Sequence, residues 1–329
     1  MKYFKLTTLL IACLLVFVIT GCEKKTSTSS LSTSTVEKDK TQTNNSTTKG
    51  NNSSTTSSST TVTITRELLI EGLPFITPYK DESSINILKE YYKDFNKLVF
   101  DDLDEEDLLL EVKNILNSKL FDSFYSMTWG DARDNVGKVC EYPKGSGQMT
   151  LFFSGDKASI LWSSKADSWK RSNIVNKDIG HFKKPNNNKH DDLSSDLHNI
   201  RPCDYKTNEI YQSLDKFTEK KLYDEIKTSQ GTFAGTYDYG DFSYQPIKEI
   251  RGDIARILMY CSAKHYLDLE HSIFLENFTA NGKVDILLKW NKEDPVSDEE
   301  LSINNEIAKI QGNRNIFIDF PELADLIWG

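Results

Sequence analysis

From Glu23 to Thr63 the chain carries no aromatic residue and is built almost wholly of Ser, Thr, Asn and Lys. A segment of that composition cannot bury enough apolar surface to offset the entropy of ordering it. It reads as a flexible stalk over residues 23–63, and it confines any packed core to the residues after Thr63. Nearly all of the 17 Phe, 14 Tyr and 5 Trp lie there. Residues 64–329 therefore read as one globular domain of generous size, and no internal repeat divides it.

Ahead of the stalk, Lys2 and Lys5 precede an apolar run from Leu9 to Ile19, which meets Thr20-Gly21-Cys22. A basic start, an apolar stretch well short of the ~20 residues that span a bilayer and a small-residue cleavage site describe an export signal over residues 1–22. A Cys directly after Gly21 makes it a bacterial lipoprotein signal. Cleavage would leave Cys22 as a lipidated N-terminus, holding the protein to the outer face of the cell membrane without crossing it.

Loss of Lys2 and Lys5, with no acid lost, would take the net charge from −9 to −11. That balance opposes phosphate binding by the surface as a whole, which usually needs Lys and Arg. His181-Phe182-Lys183-Lys184-Pro185 to Lys189-His190 is locally basic, either a solvated loop or a phosphate-facing patch. Outside the signal and Cys22 stand Cys140, Cys203 and Cys261, without the paired spacings of a zinc site. One disulfide with one free thiol and three separate thiols both fit an exported chain.

Helical spacing runs through Ser83–Phe100, with Ile87, Tyr91, Phe95 and Leu98 as its stripe, and through Leu103–Phe124, with Leu109, Val112, Leu116 and Leu120. Gln148–Ser154 reads as a strand, Gly155-Asp156 as its turn and Ala158–Trp162 as the return strand. Ile250, Ile254, Leu258, Cys261 and His265 form one stripe of a further helix. The Arg251-Gly252-Asp253 tripeptide inside it reads as packing and capping. Ser297 and Glu300 spell a capping box for a helix with Leu301, Ile303, Ile307 and Ile310 as its stripe, and Gly312 stops it.

Two blocks stand out: Gln311–Gly329, QGNRNIFIDFPELADLIWG, and Ser195–Asn208, SDLHNIRPCDYKTN. With Gly252-Asp253-Ile254-Ala255-Arg256 and Trp290-Asn291-Lys292-Glu293-Asp294-Pro295-Val296, they resemble signature blocks of the endonuclease I family. The resemblance covers most of Tyr125 to Gly329. It aligns Trp169-Lys170-Arg171-Ser172-Asn173-Ile174-Val175-Asn176 with the family's W-N-R-E-H-V-W-P, and Trp162, Ser164, Lys177 and Gly180 fall in step. Tyr211-Gln212-Ser213 stands where relatives read R-G-N, and Ile303-Asn304 where they carry R-N.

The resemblance implies an α+β fold, a mixed helical domain around a ββα-metal (His-Me finger) element spanning about Gln148 to Ser213. It implies hydrolysis of DNA or RNA phosphodiester bonds with one divalent ion, Mg²⁺ or Ca²⁺, which polarises the phosphate and stabilises the leaving oxygen. An imidazole takes the proton from water, a Glu and an Asn hold the metal, and an Arg steadies the phosphate. In this chain Asn208 falls at the metal-binding Asn and Arg171 at the Arg. Ser172 occupies the metal-Glu position and Asn173 the general-base position. An amide has no accessible pKa near neutrality, and losing a general base typically costs ~10²–10⁴ in rate. His198 is the rescue base to consider, although in the family pattern it resembles a structural residue. Two readings are open: a surface nuclease working through an altered site, or a catalytically inactive, monomeric relative that binds nucleic acid or another ligand at the membrane.

Overall fold

The computed structural model describes residues 73, 75–93, 127–165, 168–176, 179, 193–265 and 285–329. The signal, Cys22, the stalk, the helix expected at Leu103–Phe124, His181 and His190 lie outside them. The fold class is mixed α+β, as expected.

Helix α1 spans Glu82–Tyr91, and its N-cap Asp81 accepts a hydrogen bond from the Ser84 amide. Its buried edge lies one residue along from the expected stripe: Leu88 and Tyr92 are buried, whereas Ile87 is 50% exposed. Tyr92 sets that rotation, because its ring meets Phe320 at 4.9 Å and its hydroxyl donates to Asp319 at 2.7 Å. Helix α2, Trp129–Val139, is capped by Thr128. Sequence pattern does not announce it, because Gly130, Asp131, Asn135 and Gly137 are poor helix formers.

The first hairpin pairs β1 (Gln148–Thr150) with β2 (Lys157–Ser159) in antiparallel register, shorter than the strands expected. The Leu151 amide still donates to the Asp156 carbonyl at 2.8 Å, and the next amide, that of Phe152, turns to the Pro202 carbonyl. Phe152 and Phe153 thereby enter the main core. A second antiparallel pair, β3 (Lys170–Asn173) with β4 (Ile200–Cys203), sets Ser172 opposite Arg201 and Asn173 opposite Ile200. A 3₁₀ turn, Leu197–Asn199, delivers the chain to β4, and α3, Tyr205–Tyr211, comes directly after it with Asp204 as its N-cap.

A four-stranded sheet, absent from the sequence expectations, comes next: β5 (Lys216–Phe217), β6 (Asp224–Lys227), β7 (Phe233–Asp238) and β8 (Ser243–Gln245), in the order β5-β8-β7-β6. Its strands are short and broken by turns, so neither helical nor long alternating periodicity marks them.

Helix α4, Arg251–His265, is buried nearly all round. Of the expected stripe, Ile250, Ile254, Leu258 and Cys261 are in the core, and His265 is half-buried and pairs with Asp196. Gly252 permits a close approach: a Cβ there would lie 2.0 Å from the Asp294 carbonyl oxygen. The tripeptide containing it is thus a packing element. Helices α5 (Asp285–Glu293), α6 (Asp298–Gln311), α7 (Ile316–Asp319) and α8 (Leu323–Trp328) complete the order. The Ser297–Glu300 capping box forms, and Gly312 adopts the left-handed conformation, φ 85°, that ends α6.

The apolar residues form two clusters. The larger gathers α4, α5, α7, α8 and the four-stranded sheet around Trp290, Tyr244, Phe317 and Phe320. The smaller seats Met149, Trp169, Leu197 and Ile200 against Val136 of α2 and Ile303 and Ile307 of α6. Ile303, where the family pattern has Arg, is a core side chain of that cluster. All three described cysteines, Cys140, Cys203 and Cys261, are free and buried.

Candidate active site

Strand β3 is fixed at its end by Asn199. The Asn199 carbonyl accepts from the Ile174 amide, its Oδ1 accepts from the Val175 amide at 2.7 Å, and its Nδ2 donates to the Val175 carbonyl at 3.0 Å. Asn176 then donates to the Leu214 carbonyl at 2.8 Å, tying the exit of β3 to the end of α3. Asp204 holds the start of α3 through the Lys206 and Thr207 amides. These short-range amide contacts set β3, β4 and α3 as one ββα unit.

Within that unit Asn173 is the last residue of β3 and Asn208 lies in α3, the placement expected from the sequence. Ser172 is fully buried. Its Oγ accepts from Gln212 Nε2 at 3.0 Å. Cys203 Sγ donates to Asn208 Oδ1 at 3.6 Å. Gln212 with Ser172, and Cys203 with Asn208, are the hydrogen-bonded pairs that make up this group. Burial raises the Cys203 thiol well above its ordinary range, so it stays protonated near neutrality. Asn173 is almost wholly buried, and its Nδ2 donates to the Ser194 carbonyl at 2.9 Å. A backbone carbonyl is also a common partner for the Nδ1–H that orients a histidine.

Arg171 does not join this group. Strand alternation sends it to the face opposite Ser172. There its guanidinium lies 4.3 Å from the Trp162 ring centroid and 5.2 Å from that of Trp169. Its Nε donates to the Arg133 carbonyl at 3.0 Å. Burial, with nearby Arg133 adding to it, pushes its pKa down to about 10. Trp162 is 45% exposed.

His198 sits elsewhere again. It is fully buried, its ring centroid lies 4.6 Å from that of Tyr260 with the planes tilted by 54°, and its Nε2 lies 3.3 Å from the Asn313 carbonyl. Burial pushes its pKa down to about 4, so it is neutral near pH 7, but no face of it is open to a substrate. The structure places it in the core, apart from Ser172, Asn173 and Asn208. Its neighbour Asp196 is the hub: Oδ2 accepts from Tyr260 at 2.7 Å and pairs with His265 Nε2 at 2.9 Å, and Oδ1 accepts from the His198 amide and Gln311.

The donor set does not fit a divalent cation. Such an ion takes several oxygen ligands, carboxylates foremost. Here the two side-chain oxygens, Ser172 Oγ and Asn208 Oδ1, are neutral and already accept hydrogen bonds. Among the described residues no three His, Cys, Asp or Glu side chains gather as metal ligands. In the sequence Gln212 stands only as a departure from the family pattern. The fold alone reveals that it reaches Ser172, forty positions away.

The family model for endonuclease I matches residues 114–322, and the chain belongs to the endonuclease I family. It is also similar to an extracellular ribonuclease of Bacillus subtilis (strain 168), 32% identical over 216 residues that make up 62% of this chain and 68% of the relative. An extracellular ribonuclease of Bacillus amyloliquefaciens is 31% identical over 213 residues, with the same shares covered. The domain is thus a nuclease-family domain, from a family whose members are generally metal-dependent and act on nucleic acid.

Proposed function

We propose that this chain is an exported surface lipoprotein whose endonuclease I domain has kept the family's frame and lost its hydrolytic centre, so that it serves as a nucleic-acid-binding relative. The observation that carries the reading is the pair at the end of β3: Asn173 gives its amide to Ser194 O, and Ser172 gives its oxygen to Gln212. Neither a general base nor a metal carboxylate remains at those positions. Arg171, Ser172, Asn173 and Asn208 are then the remnants of the family's site. Phosphodiester hydrolysis with Mg²⁺ or Ca²⁺, on RNA as in the named relatives or on DNA, is the family reaction that this site has given up. The domain order is a signal over 1–22, a stalk over 23–63 and the nuclease-family domain over 64–329. The protein acts as a monomer, tethered outside the cell through Cys22.

Two experiments test this. The protein, with 1 mM Mg²⁺ or Ca²⁺ as an order-of-magnitude condition, should cut plasmid DNA and RNA slower than an ordinary nuclease by ~10²–10⁴ at least, while binding labelled oligonucleotides in a salt-dependent way. Brisk, chelator-sensitive cleavage would overturn the reading. Cys22→Ser should abolish lipid labelling and membrane fractionation; unchanged fractionation would remove the anchor from the account.

A further inference from the structure

The missing carboxylate at Ser172 does not leave an empty place. Gln212 reaches into the ββα unit from the end of α3, where it is the C-cap residue. Its Nε2 lies 3.0 Å from Ser172 Oγ and 3.4 Å from the Asn173 carbonyl oxygen. One carboxamide nitrogen thus presents two N–H groups to two oxygens, one of them from the fully buried Ser172. On the other side, the Cys203 thiol donates to Asn208 Oδ1 at 3.6 Å. Ser172 Oγ and Asn208 Oδ1, the side-chain oxygens at the two metal-ligand positions, each accept from an internal donor. The position filled by this side chain is the one where the resembling family pattern has Gly.

We propose that Gln212 acts as an internal plug: its carboxamide takes the cation's place between β3 and α3, so that the site is metal-free by construction and not only by loss of a ligand. This deepens the reading of the site as a degenerate nuclease centre and rests on it. A carboxylate restored at position 172 would accept the same Gln212 N–H in a charge-assisted hydrogen bond, and an incoming ion would have to break it. Ser172→Glu alone should therefore be a poor repair. Removing the plug as well should free the carboxylate and Asn208 Oδ1 together. Gln212 has ordinary helical backbone angles, φ −65° and ψ −9°, which Ala adopts without strain.

The test uses Mn²⁺ as the probe, titrated by electron paramagnetic resonance into the native chain, Ser172→Glu, Gln212→Ala and Ser172→Glu/Gln212→Ala, with a thermal melt of each to verify folding. Gln212→Ser replaces the Ala form if that does not fold. The double variant should bind one Mn²⁺ about ten- to a hundred-fold more tightly than Ser172→Glu, the range that a supporting residue commonly commands at a metal site. Equal affinity of the single and double variants would overturn the plug, and so would absence of saturable binding in both. Tight stoichiometric binding by the native chain would instead strike the degenerate-site reading itself.

Discussion

Among the described residues, two of the buried polar regions differ in what has been kept. The C-terminal helices hold full charges in full pairing. Arg256 donates to Glu300 at 2.8 Å twice, to Asp253 at 3.0 Å and to Asn291 at 3.1 Å. Arg314 donates to Asp319 at 2.7 and 2.8 Å and to Tyr79 and Asn305. At the candidate site between β3 and α3, by contrast, the side chains are neutral: Ser172, Asn173, Cys203, Asn208 and Gln212. A buried ion stripped of its partner is costly, so the helical network tolerates little change. A metal site whose carboxylate and base are exchanged for hydrogen-bonded neutral side chains can fold without penalty. The frame and the chemistry of this domain have therefore been free to part.

The contrast can be broken by mutation. Arg314→Ala would strand Asp319 in the core and should cost about 3–5 kcal/mol, read as a lower urea midpoint. Glu300→Ala would do the same to Arg256 and should fall in the same range. A loss below about 1 kcal/mol for both would deny the frame its special status.

Acid should act next, through the Asp196 hub. The buried His198 has its pKa held down at about 4 from 6.5. The folded state therefore binds fewer protons than the unfolded chain between those values. Stability should be full above pH 6.5 and fall as pH drops to about 4, by at most ~1.4 kcal/mol per pH unit from this one group. Asp196 is held well below the usual carboxylate range, despite its burial, by His265, His198 and Gln311. Its share is present above pH 3.8 and is lost below that, in the same direction. His198→Gln should flatten the slope between pH 4 and 6.5 in denaturation series; an unchanged slope would place the titration elsewhere.

The smallest effect belongs to the neutral site. Asn173→Ala removes one hydrogen bond to the Ser194 carbonyl and should cost about 1 kcal/mol. A loss as large as that of Arg314→Ala would mean that Asn173 is part of the frame.

Legibility in the sequence divides along the same line. Local rules locate the α6 capping box, its Gly312 stop and the α4 stripe, and motif spacing puts Asn173 at the end of β3 and Asn208 in α3. The four-stranded sheet is invisible because its strands are two to six residues long, and α2 because its composition disfavours helix. At the site, the exchange at positions 172 and 173 is readable directly. Two tertiary facts are not. Arg171, which spacing puts with the site, is stacked on Trp162 and Trp169 on the other face of β3. Gln212, which spacing marks only as a departure, bonds to Ser172 across forty positions.

The central claim is that the frame is intact and that the replacements at Ser172, Asn173 and Gln212 are what silence the site. The most direct measurement is single-turnover cleavage of a labelled RNA and of plasmid DNA in Mg²⁺. It would compare the native chain with Ser172→Glu/Asn173→His and with the triple variant that adds Gln212→Ala. The account expects negligible cation-dependent cleavage by the native chain, little gain in the double variant and a rise of ~10² or more in the triple variant, the lower end of what a general base supplies. Native cleavage as fast as that of the triple variant, abolished by chelator, would contradict it.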